Sequence, residues 1–216
     1  MIIRRLQLYT NDIAATRDFY GAKMQLVIDN ESASQISFVA GNAELEFIYS
    51  KEADPFYHIA FGIPNNKLHA AVAWVKTFTS LLPYSAKEEI ADFSSWNAKA
   101  FYFHDNNGNI LELITHYDWQ LTSAGQFSAA RITGICEVGI VVDDVVDVTN
   151  MIHTKYHVPY FPKGPQLADF AVMGDARGMF IISKKGRGWL PTQRASEYHP
   201  LEVTFEEAGN SYHIRF

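Results

Sequence analysis

A chain of 216 residues with 48% hydrophobic side chains can bury one large core or two small ones, and its composition is that of a globular protein rather than a disordered one. Its 24 acidic against 18 basic residues, a net charge of −6, argue against a nucleic-acid or anionic-membrane surface and leave small molecules or proteins as partners. The single cysteine, Cys136, excludes an internal disulfide and a thiolate metal cluster and fits a reducing cytoplasm. The early Arg4 and Arg5 and the lack of a long apolar run argue against a signal peptide or a membrane span.

Residues Ile2 to Thr10 alternate as a strand, and Asn11-Asp12 supplies a cap for a helix from Ile13 to Met24 with an apolar stripe at Ile13, Thr16, Phe19 and Tyr20. Gln35 to Val39 and Glu44 to Tyr49, joined by Ala40-Gly41-Asn42, read as a hairpin. A second unit in the same order starts with the strand Phe56 to Ile63, then an Asn65-Asn66 cap and a helix carrying Leu68, Ala71, Val72, Val75 and Phe78. It closes with Ala98 to His104, the turn Asp105-Asn-Asn-Gly108, and Ile110 to Thr115. Both units end alike, Leu45-Glu46-Phe47-Ile48 and Leu111-Glu112-Leu113-Ile114. Glu112, alone in an apolar run, is costly to bury unless a metal, a basic partner or a substrate meets it.

After a polar linker from Thr122 to Ala130 the order begins a third time. A strand runs from Ile132 to Val142, a helix from Val145 to Tyr156, and a hairpin pairs Asp169 to Met173 with Met179 to Ser183, with Phe180 where the closing carboxylate stood. Leu201 to Glu206 and Tyr212 to Phe216 resemble the start of a fourth unit without its helix. Each unit lacks a full core and must pair with another. The expected arrangement is an α+β protein in which residues 1–120 pair the first two β-α-β-β-β modules and residues 131–216 add the third with a partial fourth. Unpaired units make a homodimer a reasonable expectation.

The repeat, the opening pattern Tyr57-His58-Ile59-Ala60-Phe61 and the closing pattern from Asp105 through Gly108-Asn109 to Glu112-Leu113 resemble the vicinal oxygen chelate superfamily. That superfamily includes glyoxalase I, bleomycin and fosfomycin resistance proteins, and extradiol ring-cleavage dioxygenases. The resemblance covers residues 1 to about 118 well and the remainder loosely. It implies a cupped mixed sheet holding a divalent metal (iron, manganese, nickel or zinc) that chelates neighbouring oxygens of a small substrate, in lyase, isomerase or dioxygenase chemistry. By position, His58 and Glu112 would be metal ligands, and the first-unit ligand position holds Arg5. A guanidinium has no lone pair to offer and repels a cation.

Two readings follow from that departure. In one, Glu46 is a third ligand or a catalytic general base, with Arg5 binding an anionic substrate group. In the other, no metal binds, Arg5 pairs with Glu112 or Glu46 in its place, and the trough is a small-molecule binding site. Gln7 is a weak alternative ligand. His116 lies about 13 Å along the strand from Glu112, too far for shared ligation. His104 reads as a partly solvated turn residue. Trp96, Phe101, Phe103, Phe38 and Phe47 could line an apolar pocket, although strand spacing favours the core. Glu137 holds in the third unit the place of His58, and His199 could open the fourth in the same way. With Phe180 removing the closing acid, this second constellation reads as a structural duplicate without chemistry. The basic run Lys184 to Pro191 reads as a solvated loop or a segment reaching over the N-terminal trough.

Overall fold

The computed structural model describes residues 1–51 and 54–216. Alternation along Ile2–Thr10 (β1) gives a strand that buries Ile3, Leu6 and Leu8, with a bulge between Ile3 and Arg5 that resets the phase and leaves Arg5 and Gln7 on the opposite face. The Asp12 carboxylate accepts the Ala15 N–H at 2.9 Å and starts α1 (Ile13–Thr16). Where periodicity predicts one α-helix to Met24, the chain widens into a π-helical segment, Arg17–Lys23, with adjacent Phe19 and Tyr20 both buried.

Val27–Glu31 (β2), Gln35–Ala40 (β3) and Ala43–Tyr49 (β4) complete the first unit; β2, exposed along its length, has no sequence pattern that predicts it. The second unit contains His58–Gly62 (β5), a 3₁₀ turn leading into Leu68–Val75 (α2), and the short strands Leu81–Leu82 (β6) and Ile90–Phe93 (β7). It ends with Ala98–His104 (β8) and Ile110–His116 (β9). The third runs through Gly134–Val142 (β10), Val145–Tyr156 (α3), Phe170–Asp175 (β11) and Gly178–Lys184 (β12). A small hairpin, Gly188–Trp189 (β13) with Arg194–Ala195 (β14), precedes the final pair Glu202–Glu207 (β15) and Asn210–Arg215 (β16).

Two mixed sheets result. One has the order β16-β15-β1-β4-β3-β2, the other β11-β12-β10-β5-β9-β8-β6 with β7 also on β8. The modules therefore pair differently from the sequence expectation. The second unit shares its sheet with the third, through antiparallel β5 and β10, and the first shares its sheet with the C-terminal strands, through antiparallel β1 and β15. Each unit is local, but which strand meets which is decided by long-range burial that local periodicity does not carry. The β5–β10 pairing supplies the third unit with a partner strand from within the chain.

Apolar faces of both sheets meet in one core, where Leu8, Tyr20 and Phe47 from the first join Phe61, Phe103 and Leu113 from the second. The first unit also grips the start of β10: Gly41, at φ +61°, turns so close to Thr133 that a Cβ would lie 2.3 Å from its carbonyl carbon, and the Asn42 N–H donates to the Thr133 carbonyl. Among the described residues no helix is long and apolar enough to cross a membrane.

The turn between β8 and β9 ties three segments together. The Tyr20 hydroxyl donates to Asp105 Oδ2 at 2.7 Å, Asn109 Nδ2 donates to the same oxygen, and Asn109 Oδ1 accepts the Tyr57 N–H at 2.7 Å. This network fixes the start of β5 against the start of β9. Tyr20→Phe removes one of the two donors on Asp105 Oδ2 and is expected to cost about 1–3 kcal/mol, read as a lower urea midpoint with an unchanged slope.

Candidate metal centre

Ala60 marks the middle of the site. On one side it pairs in parallel register with Glu112 of β9, on the other in antiparallel register with Glu137 of β10, and His58 lies two residues before it on the same face of β5. Three candidate ligand side chains thus surround one methyl group. A bulge at Cys136, between Ile135 and Glu137 in the pairing with β5, adjusts the phase of β10 beside the site. Gly139 leaves the room His58 needs: a Cβ there would lie 2.9 Å from the His58 Cβ and 3.0 Å from the Trp189 ring.

His58 Nε2 is 3.5 Å from Glu112 Oε2 and 3.8 Å from Glu137 Oε2, and one ligand atom from each of the three lies within 4.8 Å of the others. Donors each about 2 Å from a common ion stand roughly 3–4 Å apart, so these separations suit a shared cation. His58 Nδ1 lies 3.3 Å from the Ile110 carbonyl oxygen, a contact that assigns the ring proton to Nδ1 and turns the Nε2 lone pair toward the acids. Among the described residues this is the one cluster of three such groups.

All three residues are buried, with Glu112 only 2% and Glu137 only 3% exposed. Their Oε1 atoms have no hydrogen-bond partner. Burial pushes the Glu112 carboxyl well above its usual range, the neighbouring Glu137 raises it further, and the Tyr102 hydroxyl across the strand pair opposes the shift. Two acids removed from water with orphaned oxygens are costly by themselves. One imidazole nitrogen and two carboxylates match iron, manganese, nickel or zinc, so the donor set fits a divalent ion that would take up the orphaned oxygens.

Above the cluster lies a cavity of about 470 Å³. The Trp189 ring is 5.3 Å from that of His58, and Tyr102 lies 6.4 Å away on another side. The basic run from Lys184 therefore reaches over a trough, but the one between the second and third units rather than the N-terminal one.

Sequence reasoning brings His58 and Glu112 together, and the structure places them so. Other expectations require correction. Glu137, expected in a separate structural duplicate, stands 3.8 Å from His58 Nε2, because the β5–β10 pairing delivers it there. Its position in the phase of His58 was the available signal, and reading that signal required knowing that these two strands are neighbours.

Glu46 joins neither His58 nor Glu112. It lies in the other sheet, where Arg5 Nη2 holds it at 2.6 Å while Arg5 Nε faces Glu44 at 3.6 Å. Arg5 is accordingly occupied by two acids, one of them the Glu46 that the second reading offers it, in a different sheet from the His58 cluster. Gln7 shares β1 with Arg5 and is likewise remote in topology. His116 lines a separate cavity of about 170 Å³, Phe180 packs in the core against Phe205, and His199 packs on Phe56 and Tyr57. Of the aromatic residues singled out, Trp96 lines the large cavity, whereas Phe38, Phe47, Phe101 and Phe103 are fully buried in the core.

No family model and no curated protein matches this chain. Among solved structures, a Bacillus subtilis protein provisionally described as a dioxygenase superposes with a TM-score of 0.59 at 12% identity, covering 85% of this chain and 63% of that one. This chain thus matches less than two thirds of that relative's length. A glyoxalase I point mutant from Zea mays gives a TM-score of 0.53 at 12% identity, covering 90% of this chain and 70% of that one. These likenesses establish a glyoxalase/dioxygenase-like fold, α+β with mixed sheets.

In chelator-treated protein, a Glu112 carboxyl raised above its ordinary value of 4.5 binds a proton that the unfolded chain releases. Its contribution to stability is complete below 4.5 and is lost as pH rises through the folded-state value. Thermal melts should therefore show Tm falling more steeply with rising pH above 4.5 in the wild type than in Glu112→Gln; parallel curves would contradict the assignment.

Proposed function

We propose that this chain is a metal-dependent enzyme of glyoxalase or dioxygenase type, in which His58, Glu112 and Glu137 hold a divalent ion beneath a cavity that admits a small substrate with two neighbouring oxygens. The observation that carries the reading is the pair of buried carboxylates whose Oε1 atoms lack partners, set beside an imidazole whose Nε2 faces them. When bound, the ion would supply Lewis-acid polarisation of the substrate oxygens.

The chain's own residues support that chemistry. The Ile110 carbonyl orients His58, as an outer partner orients a ligating histidine. Trp189 and Tyr102 flank the imidazole and limit water there. One imidazole with two carboxylates departs from the two-histidine, one-carboxylate set of non-haem iron oxygenases, which favours lyase or isomerase work over ring cleavage. A reducing cytoplasm, with Cys136 buried and free, suits such small-molecule chemistry.

A metal-free binding protein is the competing reading. It would need a proton held on one of the two buried acids in place of the ion, and would still leave their Oε1 atoms without partners. Arg5, the cation that reading relied on, is paired in the other sheet.

Elemental analysis after purification without chelator should find one equivalent of divalent metal per chain. His58→Ala and Glu137→Gln should each weaken metal binding by about 100-fold or more, beyond the effect of losing an outer partner, while Glu46→Gln keeps it. A wild-type protein that neither carries metal nor takes it up on titration rules the enzyme reading out.

A further inference from the structure

We propose that the substrate is a flat aromatic carboxylate, its ring received by the cavity's aromatic walls and its acid by Arg187; this rests on reading the cavity over His58, Glu112 and Glu137 as the substrate site. The walls come from different parts of the fold. Phe93 ends β7, Trp96 follows it, Phe170 opens β11 and Trp189 belongs to the β13–β14 hairpin. Phe93, Trp96 and Phe170 are half-buried and line the cavity, so part of their ring surface is not used by the core. Large rings left open at a cavity offer stacking and edge-to-face contacts that add about 0.5–1.5 kcal/mol per pair beyond area alone, a gain that an aliphatic substrate does not collect. The volume of about 470 Å³ falls within the range of small-molecule sites.

Arg187 is the one arginine or lysine among the residues lining this cavity. Its guanidinium lies 4.2 Å over the Phe170 ring, which holds the head group against the aromatic wall. The exposed Asp169 carboxylate lies 3.4 Å from its Nε. The contacts among the described residues leave the Nη pair without a protein acceptor, and that planar fork matches a carboxylate through two parallel hydrogen bonds. A single arginine that already faces Asp169 has at most one charge to offer, which suits a singly charged carboxylate. A phosphate dianion calls for more than one cation, so the cavity favours the carboxylate.

Calorimetric titration with phenylacetate, its neutral isostere phenylacetamide and its non-aromatic counterpart cyclohexylacetate tests the proposal. Wild-type protein should bind phenylacetate about tenfold or more tighter than either relative. Arg187→Gln should abolish the preference over the amide while leaving metal content and melting temperature unchanged, and Arg187→Lys should restore only part of it. The proposal is overturned if acid and amide bind alike, if cyclohexylacetate binds as tightly as phenylacetate, if Arg187→Gln has no effect, or if phenylacetate does not bind at millimolar concentration. An Arg187-dependent preference that persists in Glu137→Gln separates this site from the metal centre, so either reading can fail while the other stands.

Discussion

Two carboxylates held side by side away from water set the terms for the rest of this structure. Each would lower its energy by reaching solvent or a donor, yet Glu112 and Glu137 are fixed on neighbouring faces of β9 and β10 with their outer oxygens unpartnered. Their strands cannot yield: β5 between them is buried throughout its length, and the Asp105–Asn109 turn fastens its entrance to β9. The scaffold imposes proximity on groups that repel, and that arrangement is stable only with a cation or a proton between them.

The two sheets answer the same electrostatic problem in different ways. Arg5 and Glu46 lie on β1 and β4 in parallel register, the counterparts of His58 and Glu112 on β5 and β9. In the first sheet a guanidinium from the chain sits against the acid at 2.6 Å. Glu202, opposite Gln7 on β15, likewise meets Arg215 at 2.6 Å and His213 at 3.1 Å. In the second sheet histidine replaces arginine, and the acids on either side of Ala60 have no basic side chain of their own.

The units themselves were legible in the sequence because their signals are local. Asp12 and Asp144 cap helices by accepting backbone N–H groups three residues on, and α3 and β8 span the residues that periodicity assigns them. His58 and Glu112 were legible as a pair through the resemblance, carried by an opening and a closing pattern on adjacent strands of one unit. Glu137 was not, because its role depends on an antiparallel contact between β5 and β10 across more than seventy positions. Nothing in either strand's own pattern names its neighbour. The exposed β2 buries too little to need alternation, and the two-residue strands of the β13–β14 hairpin are too short to show it.

A tethered positive charge cannot be chelated, exchanged or starved. Arg5 therefore gives the first sheet electrostatic cement that travels with the polypeptide, whereas under the proposed reading the second sheet would draw its own from the surroundings. On that reading the pseudo-repeat makes the molecule lopsided in its dependence on the cell: scarcity of transition ions would loosen the half that carries the cavity and leave the half that braces it intact.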